Sequence, residues 1–278
     1  MRVTVKQIQE MKELGTRIPM VTAYDYPTAK LVDEVGLPVI LVGDSLGMAV
    51  LGYDSTLPVT MEEMLHHTRA VARGAQRALI VGDMPFMSYQ RDLSLAVGNA
   101  GRFLQEGGCQ AVKLEGGVAI AETIQRIVEV GIPVMGHIGL TPQSVHQLGG
   151  FKVQGKDSKG AARLLRDAHE VEQAGAFAVV LEGIPAQLSE RISQQLSIPT
   201  IGIGAGAGCD GQVQVIHDIL GLFTDFVPKH AKQYIQLAEL IKDAVKTYAK
   251  EVQDGTFPTE KESFLMEDSK LAAALAER

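Results

Sequence analysis

Five residues able to do acid, base or metal chemistry stand near the ends of short apolar runs. Asp44 lies in VILVGDS (39–45), Asp83 in LIVGDMP (79–85) and Glu115 in AVKLEGG (111–117). His137 lies in PVMGHIG (133–139) and Glu182 in AVVLEGI (178–184). Lys113 precedes Glu115 by two positions, so on a strand both point to one side. Carboxylates gathered without a counter-charge repel one another and raise each other's pKa. A bound cation resolves that repulsion. Oxygen donors without clustered Cys and with few His suit Mg²⁺ rather than Zn²⁺. Mg²⁺ keeps one or two direct carboxylates and fills its other places with water and substrate oxygens. Asp44 and Asp83 are therefore expected as direct ligands, with Glu115 direct or through water. Lys113 requires a partner or a task, because an unpaired buried ammonium is costly. Any one of these acids also reads as the N-cap of a following helix. Their recurrence in run after run is what capping alone does not explain.

Elements of one kind must carry these residues. Three further runs, PMVTAYD (19–25), PTIGIGAG (199–206) and TDFVPKH (224–230), bring the set to eight. Between them lie stretches of helical spacing, such as 61–76, 118–131 and 160–175. Strands alternating with helices imply parallel βαβ units, and runs apolar at both parities imply strands buried on both faces. Eight units in a chain near the usual ~250 residues predict an α/β fold of the (β/α)₈ barrel type. A doubly wound open sheet is the alternative. The barrel places all eight strand ends, and with them the acids, on one face. One extra helix is expected before Met20. The catalytic barrel is expected over 1–252, followed by a helical tail over 253–278 where the composition shifts.

Two loops attract attention. GIGAGAGCDG (202–211) carries Gly206, Gly208 and Gly211 in GxGxxG spacing and reads as a turn after the seventh strand, ahead of a helix. It suits a small anionic group there, or simply a tight turn. Residues 141–160, rich in Gly, Ser and Lys, read as a lid. His66, His67, His146, His169, His217 and His230 read as packing or surface residues, and so do Cys109 and Cys209.

With 278 residues, 46% hydrophobic and 21% charged, the chain can build a substantial core. A net charge of -7 argues against a nucleic-acid partner. Two cysteines make a disulfide framework unexpected and a cytoplasmic setting the default. The N-terminus lacks an apolar signal core, and no run is long enough to span a bilayer, so no membrane partner is expected.

The motifs TAYDYPTAKL, LVGDSLGMAVLGYDSTLPVT, GDMPFMSY, AVKLEGG, VMGHIGLTPQSVHQLGGFKVQG, LEGIP and TIGIGAG resemble the ketopantoate hydroxymethyltransferase family from about residue 3 to about residue 250. The resemblance implies a (β/α)₈ barrel, Mg²⁺, and 5,10-methylenetetrahydrofolate as one-carbon donor to 3-methyl-2-oxobutanoate. It implies metal binding by Asp44, Asp83 and Glu115. It implies keto-acid contacts from Ser45 and Lys113, a pocket role for His137, and Glu182 as the proton acceptor. The expected chemistry is a Mg²⁺-stabilised enolate attacking the folate's methylene to give 2-dehydropantoate for pantothenate synthesis. The family is similar to the phosphoenolpyruvate mutase and isocitrate lyase group, and its members are commonly homo-decamers. Two other classes stay open. One is a lyase, either an aldolase type using Lys113 as a Schiff base or an isocitrate lyase type. The other is a non-catalytic metal-dependent binding protein.

Overall fold

The structure, a computed structural model, describes residues 1–277. Eight parallel strands close into one barrel in chain order. They are β1 (Ile18–Thr22), β2 (Val39–Val42), β3 (Leu79–Asp83), β4 (Ala111–Glu115), β5 (Val134–Gly139), β6 (Ala178–Glu182), β7 (Thr200–Ile203) and β8 (Gly211–Gln214). Around and between them run α1 (Val5–Glu13), α2 (Tyr26–Val35), α3 (Leu46–Ala49), α4 (Met61–Gly74), α5 (Leu93–Arg102) and α6 (Ala121–Glu129). The series continues with α7 (Val145–Leu148), α8 (Ser158–Gln173), α9 (Ala186–Gln195), α10 (Ile216–Ile219), α11 (Leu237–Gln253) and α12 (Asp268–Ala276). This is the expected (β/α)₈ barrel, with a helix before β1 and helices beyond the last strand.

Local chemistry starts the helices where the sequence demands it. Thr4 and Thr60 close capping boxes on α1 and α4, and Asp25, Asp92 and Asp157 cap α2, α5 and α8. Two apolar layers hold the barrel. The interior layer includes Met20, Val39, Leu41, Val81, Met135, Val180, Ile201 and Val213. The outer layer packs Ile40, Ile80, Val112 and Val179 against the helices. Ile8 of α1 is fully buried in the interior layer, so α1 plugs the barrel rather than lying on its side.

The eighth strand corrects the sequence expectation. It is GQVQ at 211–214, not TDFVPKH at 224–230. GQVQ is short and half polar, with Gln212 outward and Val213 inward, so it has no apolar run to reveal it. Its register with β1 and β7 makes it a strand. Residues 224–230 have no ladder, and Pro228 offers no amide hydrogen. The chain therefore passes from β7 to β8 without a helix. The glycine-rich segment leads into β8, and not into a helix as its spacing suggested. α11 buries only Ala238, while Ile241, Val245, Tyr248 and Val252 are exposed along one face.

Candidate active site

Strand register builds the site. Asp83 pairs with Lys113 across β3 and β4, Glu115 with His137 across β4 and β5, and Gly139 with Glu182 across β5 and β6. Residues that end neighbouring strands at these levels must meet at the mouth. Gly139 also has to be glycine. Its φ is +99°, and a Cβ would stand 2.2 Å from the Glu182 carbonyl oxygen. That close approach seats β6, and Glu182 with it, beside β5.

The side chains meet as the register requires. Lys113 Nζ lies 2.9 Å from Asp83 Oδ1 and 3.8 Å from Glu115 Oε1. It is also 3.0 Å from His137 Nδ1. His137 Nδ1 is 3.4 Å from Glu115 Oε1, and its Nε2 is 3.2 Å from Glu182 Oε2. The backbone N–H of Asp44 donates to Asp83 Oδ2 at 3.1 Å. Asp44, Asp83, Lys113, Glu115 and His137 are all buried, and Glu182 is slightly more open. With Ser45, all six line one cavity of about 800 Å³ at the C-terminal ends of the strands. The Ser45 hydroxyl pairs with that of Tyr24 at 2.8 Å.

Burial and mutual repulsion dominate the electrostatics. Burial, with the charges of Asp83 and Glu115, holds the Asp44 carboxyl well above its usual range. Asp83 is also raised by burial, although the Lys113 ammonium pulls the other way. Glu115 behaves oppositely. Burial pushes it up, but His137, Lys113 and the Gln143 amide outweigh that and hold it low. Burial and Lys113 oppose charge on His137, yet Glu115 and Glu182 win and carry it to about 9. Burial likewise opposes the charge on Lys113, but Asp83, Glu115 and Asp44 raise its pKa above normal.

The donor set suits a hard divalent cation. Asp44, Asp83, Glu115 and Glu182 outnumber Lys113 and His137 at this cluster. Asp83 Oδ1 and Glu115 Oε1 are buried with no aligned hydrogen-bond donor. Among the described residues, no group of three or more His, Cys, Asp or Glu stands assembled as a ligand cluster. Two carboxylates completed by water and substrate oxygens is the arrangement Mg²⁺ tolerates.

The network contains members that were not singled out from sequence. The Gln143 side-chain amide donates to Asp44 Oδ2 and to the Met84 carbonyl, each at 2.9 Å, and its backbone N–H donates to Glu115 Oε2 at 3.0 Å. The Tyr89 phenol accepts from the Glu115 amide at 3.0 Å and donates to Gln143 Oε1 at 2.8 Å. Gln143 belongs to the segment read as a lid. Residues 142–148 instead form short helical turns tied into the site, and the exposed Phe151 and Val153 beyond them line the cavity. The only sequence signal for Gln143 and Tyr89 was their place just after β5 and β3. His230 lines the cavity too, in place of its expected packing role. Gly206 and Gly208 press against Ala186 and Glu190 of α9, where a Cβ at 206 would stand 2.5 Å from Ala186. Their spacing serves that close packing. Cys109 and Cys209 are buried, and burial pushes the Cys109 thiol up to about 12.

An eight-stranded parallel barrel with acids gathered at one mouth is the layout of a barrel enzyme. The profile of the ketopantoate hydroxymethyltransferase family matches residues 2–260. The chain is 62% identical over 267 residues to the 3-methyl-2-oxobutanoate hydroxymethyltransferase of Dehalococcoides mccartyi strain 195, covering 96% of this chain and 95% of that protein. It is 60% identical over 275 residues to the enzyme of the same name from Chloroflexus aurantiacus, covering 99% and 97%. The chain belongs to the ketopantoate hydroxymethyltransferase family and is an enzyme. Its fold is shared with phosphonopyruvate hydrolase (TM-score 0.63, 11% identity, 100% of this chain and 96% of that one). It is also shared with 2,3-dimethylmalate lyase (TM-score 0.59, 16% identity, 100% and 96%).

Proposed function

We propose that this chain transfers a hydroxymethyl group from 5,10-methylenetetrahydrofolate to 3-methyl-2-oxobutanoate with Mg²⁺, giving 2-dehydropantoate for pantothenate synthesis. One observation carries the reading. A paired-acid wall from β2 to β4 and a more open glutamate on β6 face the same cavity. Asp44, Asp83 and Glu115 would hold the metal, Glu115 directly or through water. When bound, Mg²⁺ supplies a Lewis acid for the negative charge that develops on the keto oxygen. Lys113 offsets the charge of the substrate's carboxylate, and Ser45 offers it a hydroxyl. Glu182 removes the proton from C3, and His137, within contact of Glu182, orients it. The resulting carbanion equivalent attacks the folate's methylene carbon, both C–N bonds to that carbon break, and one water supplies the hydroxyl. Tetrahydrofolate leaves with its two nitrogens protonated by the water and by Glu182.

Lys113 is a poor Schiff-base nucleophile here, because its carboxylate neighbours favour the ammonium. Borohydride with keto acid should leave it unmodified. Turnover of keto acid with methylenetetrahydrofolate, abolished by EDTA and restored by Mg²⁺, is the expected result. Turnover indifferent to EDTA would overturn the metal, and none at all would overturn the reaction.

The same reading takes residues 1–252 as the catalytic unit and 253–278 as an accessory tail. It also takes the protein to be a cytoplasmic homo-oligomer, a decamer by family resemblance. The exposed apolar face of α11 supports association, and the free cysteines suit a reducing compartment. No helix among the described residues is long and apolar enough to cross a membrane.

A further inference from the structure

The cavity has a second polar wall, beyond β8. α10 follows β8, and its Asp218 is only 8% exposed yet lines the cavity. Among the described residues, the Asp218 carboxylate receives no hydrogen bond and forms no ion pair. Burial raises its carboxyl, and the charge of His230 acts the other way. Close by in sequence, Gln214 Oε1 is buried with no donor. Asp218 and Gln214 Oε1 are therefore acceptors without a protein donor on a wall that also carries Lys229 and His230, and the buried Gln214 oxygen is costly when unmet. A 2-oxo acid at neutral pH offers acceptors only, so it does not satisfy them.

The position is right for the second substrate. Asp218 is close enough for its charge to act on Tyr24, whose hydroxyl pairs with Ser45 beside Asp44. Asp218, Ser45 and Asp44 line the same cavity. The adjoining surface suits a flat ring. Phe223 and Phe226 line the cavity on the stretch after α10, and Gly204 on the loop after β7 contributes no side chain.

We propose that Asp218 binds the pterin of the one-carbon donor, accepting the paired N3–H and 2-amino N–H of its 2-amino-4-oxopyrimidine edge. Two parallel N–H groups meeting two carboxylate oxygens form a charge-assisted bidentate pair. Gln214 Oε1 supplies a further acceptor to the same donor-rich edge. The benzoyl and glutamate parts of a folate carry mainly acceptors at their tips, so they do not compete for this wall. The inference rests on the folate reading of the reaction.

The test reads folate binding and turnover apart. In Asp218→Asn, one acceptor becomes a donor facing a donor. KM for methylenetetrahydrofolate should rise at least ~10-fold, the scale of one lost hydrogen bond to a charged group. KM for the keto acid should hold within ~2-fold. A second measurement needs no variant. Tetrahydrofolate lacking the 2-amino group should bind the unaltered protein at least ~10-fold more weakly than tetrahydrofolate in titration calorimetry. Folate-dependent turnover with an unchanged folate KM in the variant, or equal binding of the two folates, would overturn the Asp218 assignment and leave the reaction standing. Absence of any methylenetetrahydrofolate-dependent turnover in the unaltered enzyme would overturn both.

Discussion

The mouth of the barrel has two unlike sectors. From β2 to β6 each strand end brings an ionisable group, and each group is held by its neighbours. Asp44, Asp83, Lys113, Glu115, His137 and Gln143 form one connected network. From β7 through β8 to β1, no helix separates β7 from β8, and each of those two strands is four residues long. That sector is lined by Gly204, aromatic side chains, Asp218, Gln214, Lys229 and His230. The first sector spends its space on preorganised charge, which is what stabilises a developing oxyanion. The second leaves room, which is what a bulky co-substrate needs. On the proposed reading, the fold divides chemistry from accommodation around one ring of strands.

The comparison breaks most directly at the acids. Asp44→Ala or Asp83→Ala should abolish Mg²⁺-dependent turnover while the barrel stays folded by circular dichroism. Near-normal turnover at ordinary Mg²⁺ would remove the metal from the charged sector. Next in size, Glu182→Gln should slow deuterium exchange at C3 of the keto acid by ~10²–10⁴-fold without folate, because a positioned base is lost. Keto-acid binding should persist, and exchange at the normal rate would place the base elsewhere.

Gln143→Leu tests whether the network is held from outside the acids. It strips a donor from Asp44 and from the Met84 carbonyl, each buried. Stability in urea should fall by roughly 1–3 kcal/mol, with turnover falling alongside. A neutral substitution would show that the charged sector holds itself.

The closed end of the same strands provides a purely structural acid. Asp33 is buried and accepts the backbone N–H groups of Gln76, Arg77 and Ala78 at the entry to β3, at 3.0, 3.0 and 2.7 Å. Burial raises its carboxyl, but these donors and Arg77 outweigh that and hold it below normal. Its contribution is therefore complete above the unfolded value of about 4 and is lost as pH falls through the lowered folded value. Asp33→Asn should flatten the fall in melting temperature below about pH 4 without changing KM. A variant that tracks the unaltered protein through that range would deny Asp33 this role.

The smallest effect is expected at the tail. Residues 254–277 bury no side chain. Truncation after 253 should shift the unfolding free energy of the barrel by less than about 0.5 kcal/mol and keep measurable turnover. A correctly assembled, soluble truncation without activity would show that the tail completes a site.

What the sequence determined by itself was the charged sector. Asp44, Asp83, Lys113, Glu115, His137 and Glu182 were legible because buried parallel strands leave continuous apolar runs, and any ionisable residue ending such a run stands out. The barrel followed from the repetition of those runs. Tertiary structure alone decided the eighth strand and the wall beside it. GQVQ becomes a strand only because β1 and β7 flank it and offer their ladders, and a short half-polar segment carries no periodic signal of its own. Gln143, Tyr89 and Asp218 are ordinary loop and helix residues in one dimension. They gain meaning from partners far along the chain, as Gln143 does from Asp44, or from a cavity that exists only once the barrel has closed. Local sequence encodes burial and hydrogen-bonding capacity, and only closure of the barrel brings distant strand ends within reach of one another.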